Sequence, residues 1–341
     1  MKPNTIMCPC CFNEKVEVSE VWNNCPYCQH RWRNEVVTDA GAYYQELKNR
    51  NNIKSDSFHK KVTDRFNTVR PLITNGVSRV LEVGCAEGFL GEITKKQFSL
   101  IYDGIEISQD AEIAINKLDH VYRTTTIHID GGAYDLICSF HVLEHISNIS
   151  SELKQWQRLL SDEGRVVIEV PNRAGHSLLA NDGNPEHLHQ FTLQSLSCLL
   201  AHEGFEIISA TTGHFESAVY SDSTSIVAKR ALTKKQKETL LISRFERKLN
   251  GPFIVYGIGG DFLNYIYPVI NSLPIIGLLD SSATQWGKEI AGMVVTKYNQ
   301  PEHENRKILV ASIKYKNEIV EHLIQLDIPR NLIRTLDEIY G

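Results

Sequence analysis

The chain has 341 residues, of which 42% are hydrophobic, and a formal net charge of −5 at pH 7. This length is typical of two or three domains, and the composition is that of a globular protein. The acidic balance argues against nucleic acid as the main partner, and no apolar run approaches the roughly 18 residues that span a bilayer. The first residues also lack the apolar core of a secretion signal, so we expect a cytoplasmic protein without a membrane span.

The N-terminal segment is unusually rich in cysteine, because five of the eight cysteines fall in the first 28 residues. Cys8 and Cys11 are separated by two residues, thirteen residues follow, and Cys25 and Cys28 repeat the spacing. Two such turns can supply four thiolates to tetrahedral zinc. Four thiolates leave no open coordination position, so this zinc would be structural. We therefore predict a zinc ribbon over residues 1–38.

Two alternatives to this ligand set remain open. Cys10 could pair with Cys8 in the first turn, or all five cysteines could be reduced and unliganded. Between the two cysteine pairs, Lys15–Val21 alternates polar and apolar residues as a short strand does.

Residues 39–230 alternate between helix and strand patterns, beginning with helical spacing of apolar residues over 40–75. The strands predicted next are Arg79–Val83, Tyr102–Ile107, Val121–Arg123, Tyr134–Phe140 and Arg165–Val170, and the clearest helix is Glu152–Leu160. Such alternation indicates an α/β fold with a parallel, doubly wound sheet. Two later strands, Gly204–Ile208 and Ser225–Ala228, are expected at an antiparallel end of that sheet.

The last part of the chain repeats this alternation on a smaller scale. Residues 231–250 are rich in lysine and arginine, which indicates a solvated linker helix. A strand at Phe253–Tyr256 then leads into a glycine-rich loop. The further strands predicted are one ending at Leu279-Asp280, Lys307–Ser312 and Leu332–Leu336. We predict a second, small Rossmann-like domain over residues 251–341.

A glycine loop, residues 84–88, follows the first strand of the middle domain. Glu82 precedes this loop, and Glu106 closes the next strand 24 residues further on. A strand, a glycine turn, a helix and a second strand that ends in an acid are typical of a nucleoside-binding βαβ unit. An acid ahead of the loop would repel a pyrophosphate but suits the cationic S-adenosylmethionine. Glu106 then suits the ribose hydroxyls, since a carboxylate can accept two hydrogen bonds.

These segments together resemble the class I S-adenosylmethionine-dependent methyltransferases. The resemblance depends on the order and spacing of Val80–Gly88, Glu106, Tyr134–Ile137, His141–Ile146, Val170–Asn172, His187–Thr192 and Gly204-Phe205. It implies a doubly wound, Rossmann-like methyltransferase domain over residues 39–230. The cofactor contacts it implies are Glu82, Gly84, Cys85, Ala86, Gly88, Glu106, Ile107 and His141. Ala86 departs from the usual middle glycine of the family, and we expect the loop to tolerate its extra methyl group.

The order of the three modules suggests a narrower resemblance. A cysteine-rich zinc module, a methyltransferase domain and a C-terminal Rossmann-like module are similar in order to bacterial C-methyltransferases of nucleotide-linked deoxysugars. This resemblance implies a nucleotide-linked sugar as the acceptor and a C-terminal domain that helps to bind it. The candidate nucleotide contacts are Gly257, Gly259, Gly260 and Asp280. Because the loop lacks the third glycine of a dinucleotide site, NAD is not expected.

Histidines cluster where the fourth and fifth strands of the middle domain end, at the edge where α/β sheets bind ligands. Methyl transfer to oxygen needs a base near neutral pH, which histidine suits, and transfer to carbon needs a base for enolisation. We predict His187 as the base, with Glu186 to orient it, and His145 as the second choice. Further candidates are His141 and His189, with Tyr44 in the segment that covers the cofactor in similar proteins. For each histidine, a purely structural, hydrogen-bonded role is the alternative.

Two other functions remain open from the sequence. The first is O-methylation of another small acceptor, either phosphorylated or lipid-like, with a C-terminal domain that binds no nucleotide-sugar. The second is a non-catalytic scaffold that uses the zinc ribbon and the Rossmann-like domain to recruit partners.

Overall fold

The computed structural model describes residues 6–34, 45–47, 51–74, 76–129, 131–175, 184, 186–214 and 220–340. The chain forms two compact units, Met1–Ala231 and Leu232–Gly341. None of the helices in the described ranges combines the length and the hydropathy that a membrane crossing requires.

A small antiparallel sheet surrounds the N-terminal cysteines. Its strands are β1 (Glu17–Val18), β2 (Trp22–Asn24), β3 (Arg31–Arg33) and β9 (His189–Gln190). The last of these comes from far along the chain and pairs with β3. The strand predicted at Lys15–Val21 is shorter than expected, because the hydroxyl of Ser19 accepts the amide proton of Trp22 and closes a turn. The zinc ribbon, predicted as a module of its own, belongs to the same compact unit as the sheet described next.

A seven-stranded sheet forms the centre of the first unit. Its strands are β4 (Arg79–Val83), β5 (Ile101–Ile105), β6 (His120–Tyr122), β7 (Tyr134–Phe140), β8 (Leu160–Pro171), β10 (Phe205–His214) and β11 (Ser223–Arg230). The spatial order is β10-β11-β8-β7-β4-β5-β6, and β11 runs antiparallel to both of its neighbours. The parallel strands predicted from the sequence are present, and the α/β fold class is confirmed.

Helices pack on both faces of this sheet. They are α1 (Asp56–Val69), α2 (Phe89–Gln97), α3 (Ala111–Ala114), α4 (Ile149–Leu159) and α5 (Leu193–His202). One hydrophobic cluster contains Phe66 and Tyr102, and a second contains Trp156 and Leu199. Because the central strands are covered on both faces, they read as nearly continuous apolar runs in the sequence.

The second unit is another largely parallel sheet with helices. Its strands are β12 (Phe253–Tyr256), β13 (Ile275–Leu279), β14 (Glu289–Ile290), β15 (Met293–Thr296), β16 (Lys307–Val310) and β17 (Ile333–Thr335). Its helices are α6 (Lys234–Leu249), α7 (Gly260–Tyr265), α8 (Gln300–His303), α9 (Lys316–Gln325) and α10 (Leu336–Tyr340). The strand order β14-β15-β13-β12-β16-β17 places β12 between two parallel partners. The short hairpin of β14 and β15 was not predicted.

The helix predicted as a linker over residues 231–250 is part of this second unit. Phe245 is fully buried and Leu249 is nearly so, both in the same core cluster as Phe253. The rings of Phe245 and Phe253 stack with their centroids 6.1 Å apart. The basic residues therefore form the solvated side of a helix whose other side packs in a core.

Candidate active site

The loop of residues 84–88 folds tightly because two of its glycines have left-handed backbones. Gly84 has a φ of +77°, and a Cβ there would lie 2.3 Å from Cγ2 of Val142. Gly88 has the same φ, and its Cβ would approach Cα of Ala114 to 3.1 Å. Both the backbone conformation and the close contacts therefore require glycine at these two positions.

Glu106 follows directly after β5 and is bonded to this loop. One of its carboxylate oxygens accepts the amide proton of Ala86 at 2.9 Å, and the other accepts that of Ser108 at 2.8 Å. Ala86 has a φ of +46°, a left-handed conformation that glycine adopts more readily than alanine. The loop tolerates alanine here, at the cost of backbone strain. Each oxygen of Glu106 can still accept a further hydrogen bond.

Glu82 and Cys85 lie beneath the loop. Glu82 is buried, and the hydroxyl of Tyr102 donates to its Oε2 at 3.0 Å. Burial raises the pKa of Glu82 to about 8. Cys85 is also buried and packs against Gly104, where a Cβ would lie 2.5 Å from its Sγ. Both residues support the loop from below.

A cavity of about 460 Å³ opens beside this loop, at the carboxyl ends of β4, β5 and β7. Its volume and position are typical of small-ligand sites in α/β sheets. The predicted site residues that line it are Gly84, Ala86, Glu106, Ile107, His141 and His145. The predicted site residues of this unit that do not line it are Glu82, Cys85, Gly88, Glu186, His187 and His189. Tyr44 lies outside the described residues.

His141 stands directly after β7, with a left-handed φ of +56°. Left-handed backbone conformations of residues other than glycine are strained, and they cluster at functional sites. Its Nε2 lies 3.1 Å from the hydroxyl oxygen of Ser223 and 3.8 Å from a carboxylate oxygen of Glu169. Its Nδ1 lies 3.6 Å from a carboxylate oxygen of Glu144. The imidazole is therefore held between two carboxylates at the cavity wall.

His145 and His187 meet beside Glu144, with their ring centroids 4.8 Å apart. Nδ1 of His145 lies 3.0 Å from the carbonyl oxygen of Glu186, and its Nε2 lies 3.8 Å from a carboxylate oxygen of Glu144. Burial lowers the pKa of His145, which favours its neutral form. His187 is 3% exposed, and its ring lies 5.4 Å from that of Tyr220.

His189 bonds to the N-terminal segment that carries the cysteines. Its Nδ1 lies 3.1 Å from Nε2 of His30, and the two rings stack with centroids 5.3 Å apart. Burial lowers the pKa of His189 to about 4, so this histidine is neutral at physiological pH. This geometry supports the structural alternative for His189.

The four cysteines predicted as zinc ligands converge in the structure. Their Sγ atoms all lie within 4.8 Å of one another. The Sγ atoms of Cys8 and Cys28 are 3.5 Å apart, as are those of Cys11 and Cys25. Cys10 is buried next to them but is not part of this group. The four thiols suit a tetrahedral metal site, because zinc binds thiolates at about 2.3 Å.

The N-terminal cysteine-bearing segment also holds the segment that carries His187. The guanidinium of Arg33 donates to the carbonyl oxygens of Asn184 and His187, each at 3.0 Å. The hydroxyl of Thr192 donates to the carbonyl oxygen of Cys28, also at 3.0 Å. The cysteine cluster and this histidine segment are therefore parts of one hydrogen-bonded structure.

In the second unit, the four predicted nucleotide contacts lie together at one edge of the sheet. Gly257, Gly259 and Gly260 form the turn after β12, and Oδ2 of Asp280 accepts the amide proton of Ile258 at 2.7 Å. A Cβ at Gly259 or Gly260 would meet nothing within 4 Å, so packing does not require glycine there. The chain continues from β12 to β13 on one side and later to β16 on the other, so the strand order reverses at this turn. Open α/β sheets bind ligands at such points of reversal.

Several residues of the cavity wall were not predicted from the sequence. They are Asn51, Lys61, Arg65, Thr124, Thr125, Thr126 and Glu152. Lys61 and Arg65 lie on α1, a helix predicted from its apolar spacing alone. Two basic residues four positions apart share one face of a helix, and that spacing was the available signal. The threonines follow β6 in an irregular segment, where no local pattern marks a ligand contact.

The central part of the chain is similar to known methyltransferases. A family model described as a methyltransferase domain matches residues 41–210, just under half of the chain. A probable S-adenosylmethionine-dependent methyltransferase of Mycolicibacterium smegmatis is 25% identical over 145 residues, covering 41% of this chain and 56% of that protein. A ubiquinone biosynthesis O-methyltransferase of Bradyrhizobium diazoefficiens is 32% identical over 114 residues, covering 31% of this chain and 44% of that protein. The chain thus spans about half the length of the curated relatives it matches.

Among solved structures, a SAM-dependent methyltransferase from Archaeoglobus fulgidus is similar with a TM-score of 0.43 and 18% sequence identity. The similar region covers 52% of this chain and 96% of that chain.

Proposed function

Because the chain carries an S-adenosylmethionine-dependent methyltransferase domain, we propose that the whole protein transfers the methyl group of that cofactor to a small-molecule acceptor. The observation that carries the proposal is the cavity at the carboxyl edge of the central sheet. Its wall contains the loop residues Gly84 and Ala86, the acid Glu106 and the histidines His141 and His145.

We assign the cofactor to the loop side of this cavity. Glu106 would accept hydrogen bonds from the ribose hydroxyls, since each of its oxygens has capacity beyond its present backbone bond. Gly84 and Ala86 would line the cofactor with backbone, and the buried Glu82, whose pKa is raised to about 8, would support the loop from beneath. The bound cofactor supplies a methyl group already activated by the sulfonium, so the protein mainly orients the acceptor and removes a proton.

We propose His141 as the residue that takes this proton. It lines the cavity, and its ring nitrogens lie 3.6 Å from a carboxylate oxygen of Glu144 and 3.8 Å from one of Glu169, which together hold the ring in place. His187, our first choice from the sequence, is buried and does not line the cavity. Its role as a base, with Glu186 to orient it, stays a prediction.

A nucleotide-linked sugar is the acceptor that we propose. The support is the turn at Gly257–Gly260 in the second unit, at the position where α/β sheets bind nucleotides. Two of its glycines have open space above the backbone, which would let a diphosphate approach the amides.

O-methylation of another small acceptor is the second candidate. Two of the curated relatives are named ubiquinone biosynthesis O-methyltransferases, at 29% and 32% identity. Under this alternative the second unit would bind no nucleotide-sugar.

We further propose that the four converging cysteines hold one structural zinc ion. Four thiolates would complete its coordination, so the ion would organise the zinc ribbon and take no direct part in methyl transfer.

Calorimetry of S-adenosylhomocysteine binding tests the cofactor site. We expect saturable binding that Glu106→Ala weakens by about 10- to 100-fold, because the charged acceptor of the ribose hydroxyls is lost. Glu112→Ala, an exposed glutamate nearby on α3, is the matched control and should bind as the wild type does. Absence of binding by the wild-type protein would reject the proposal and favour the scaffold hypothesis.

Thermal-shift measurements with nucleoside diphosphates, made with S-adenosylhomocysteine present, test the acceptor class. We expect at least one diphosphate to raise the melting temperature. Gly259→Val should abolish this shift and leave cofactor binding unchanged, since the added side chain fills open space above the turn. If no diphosphate changes the melting temperature, the O-methylation alternative is favoured.

A further inference from the structure

Glu144 is an unusual buried acid. Its side chain is 1% exposed, and neither carboxylate oxygen has a hydrogen-bond partner among the residues that the structure describes. A carboxylate removed from water normally requires hydrogen bonds, a cationic partner or a metal ion. The proposed base His141 approaches it only to 3.6 Å. Among the described residues, therefore, no direct hydrogen bond compensates this burial.

Two histidines complete a possible ligand set around this acid. Glu144, His145 and His187 can each offer one ligand atom, and these three atoms lie within 4.8 Å of one another. Such a separation suits three ligands of a single ion. The cysteine cluster is the other group of this kind in the described ranges, so the chain has two candidate metal sites of different chemistry.

The hydrogen bonds of His145 favour this role. Its Nδ1 lies 3.0 Å from the carbonyl oxygen of Glu186, which can only accept, so Nδ1 carries the ring proton. In neutral imidazole the other nitrogen, Nε2, then keeps its lone pair, and it lies 3.8 Å from the Glu144 carboxylate. Metal-binding histidines commonly donate their second nitrogen to a backbone carbonyl in this way.

We propose that Glu144, His145 and His187 bind one divalent transition-metal ion. Two imidazoles and one carboxylate suit ions such as Fe²⁺, Mn²⁺, Co²⁺ and Zn²⁺. Three protein ligands leave coordination positions open, in contrast to the four-cysteine site. Because His145 lines the cavity, an open position would be accessible to a bound small molecule.

The ion would also have a place in the proposed reaction. A metal-bound hydroxyl group loses its proton at lower pH, so an acceptor oxygen bound there would be a better nucleophile. That role rests on the proposed function, whereas binding of the ion does not. His145 and His187 would then act as ligands, and His141 would remain available as the base.

Calorimetric titration of the full chain with Co²⁺, after a single equivalent of zinc has been supplied to occupy the four cysteines, tests the site. We expect about one Co²⁺ per chain beyond the zinc and a higher melting temperature when it is bound. Glu144→Gln should weaken Co²⁺ binding by at least about tenfold and remove the metal-dependent rise in melting temperature. Because this variant keeps the shape of the side chain and removes a buried charge, it should fold without metal.

Glu169→Gln is the matched control, because it changes another buried glutamate beside His141 that lies outside the proposed ligand set. It should bind Co²⁺ with unchanged affinity. The proposal is overturned if the wild type binds no Co²⁺ beyond the zinc site, or if Glu144→Gln binds it as tightly as the wild type. Binding of S-adenosylhomocysteine in the same samples separates this outcome from failure of the methyltransferase proposal.

Discussion

Two acids frame the cofactor loop, and their surroundings give them different chemistry. Glu106 lines the cavity and bonds to backbone amides, whereas Glu82 lies beneath the loop against the hydroxyl of Tyr102. Both positions follow from the order of strand, loop and strand in the sequence. The burial of Glu82, and with it a pKa of about 8, depends on side chains from other strands that close over it.

Glu82 should make the stability of the protein depend on pH. Its pKa is raised from 4.5 to about 8, so its contribution to stability is fully present below pH 4.5 and is lost as the pH rises through 8. Glu82→Gln keeps an acceptor for Tyr102 and cannot ionise. We expect the variant to match the wild type at pH 4.5 and to be more stable at pH 9 by on the order of 5 kcal/mol, as measured by urea denaturation.

The control for this prediction is Glu112→Gln, in which the replaced side chain is 69% exposed. Its stability should differ from that of the wild type by the same small amount at every pH. If the free energies of unfolding of Glu82→Gln and the wild type also differ by the same amount at every pH, the carboxyl of Glu82 is ionised in the folded protein at neutral pH.

Two loop positions should respond in opposite ways to exchange of glycine and alanine. Ala86→Gly relieves a left-handed alanine but increases the entropy of the unfolded chain, so we expect the free energy of unfolding to rise by about 0.5 kcal/mol or less. Gly84→Ala introduces both a left-handed alanine and a contact of 2.3 Å with Val142, and it should destabilise the protein by about 3 kcal/mol. Urea denaturation measures both changes. Equal stability of the two variants would contradict this description of the loop.

At the scale of secondary structure, the N-terminal cysteine-bearing segment and the histidine-bearing segment form one sheet through the pairing of β3 with β9. The long strands of the central sheet were predictable because burial on both faces makes them apolar runs. The two-residue strand β9 was not, since its partner lies more than 150 residues away and its own sequence is too short to carry a pattern.

Loss of a zinc ligand should therefore affect more than the ribbon. Cys25→Ser should lower the zinc content by one ion per chain and reduce the stability of the N-terminal unit by at least about 3 kcal/mol. Atomic absorption and thermal denaturation measure the two effects. Cys10→Ala removes the neighbouring buried cysteine that lies outside the group of four, and it should retain the zinc. Loss of zinc from this second variant would instead support the alternative pairing of Cys8 with Cys10.

At the scale of the whole molecule, each compact unit has its own hydrophobic clusters. Residues 232–341 should therefore fold alone, with a cooperative melting transition by circular dichroism. A fragment that starts at residue 251 lacks Phe245 and Leu249, which are buried in that core. Loss of two buried side chains costs roughly 4 kcal/mol, so this shorter fragment should melt at a much lower temperature or not fold. Equal stability of the two fragments would show that α6 contributes nothing to the unit.

Reasoning from the sequence was enough to predict the α/β class, the cysteine pairs, the glycine loop with its two acids, and the strands that are buried on both faces. These features depend on local spacing and on periodic burial, which are written into neighbouring residues. The folded structure was needed to show which histidines line the cavity, that α6 belongs to the second unit, and that β9 pairs with β3 of the cysteine-bearing segment. It was also needed to find Glu144 beside two histidines with no hydrogen-bond partner among the described residues, because that environment is created by segments about 40 residues apart in the chain.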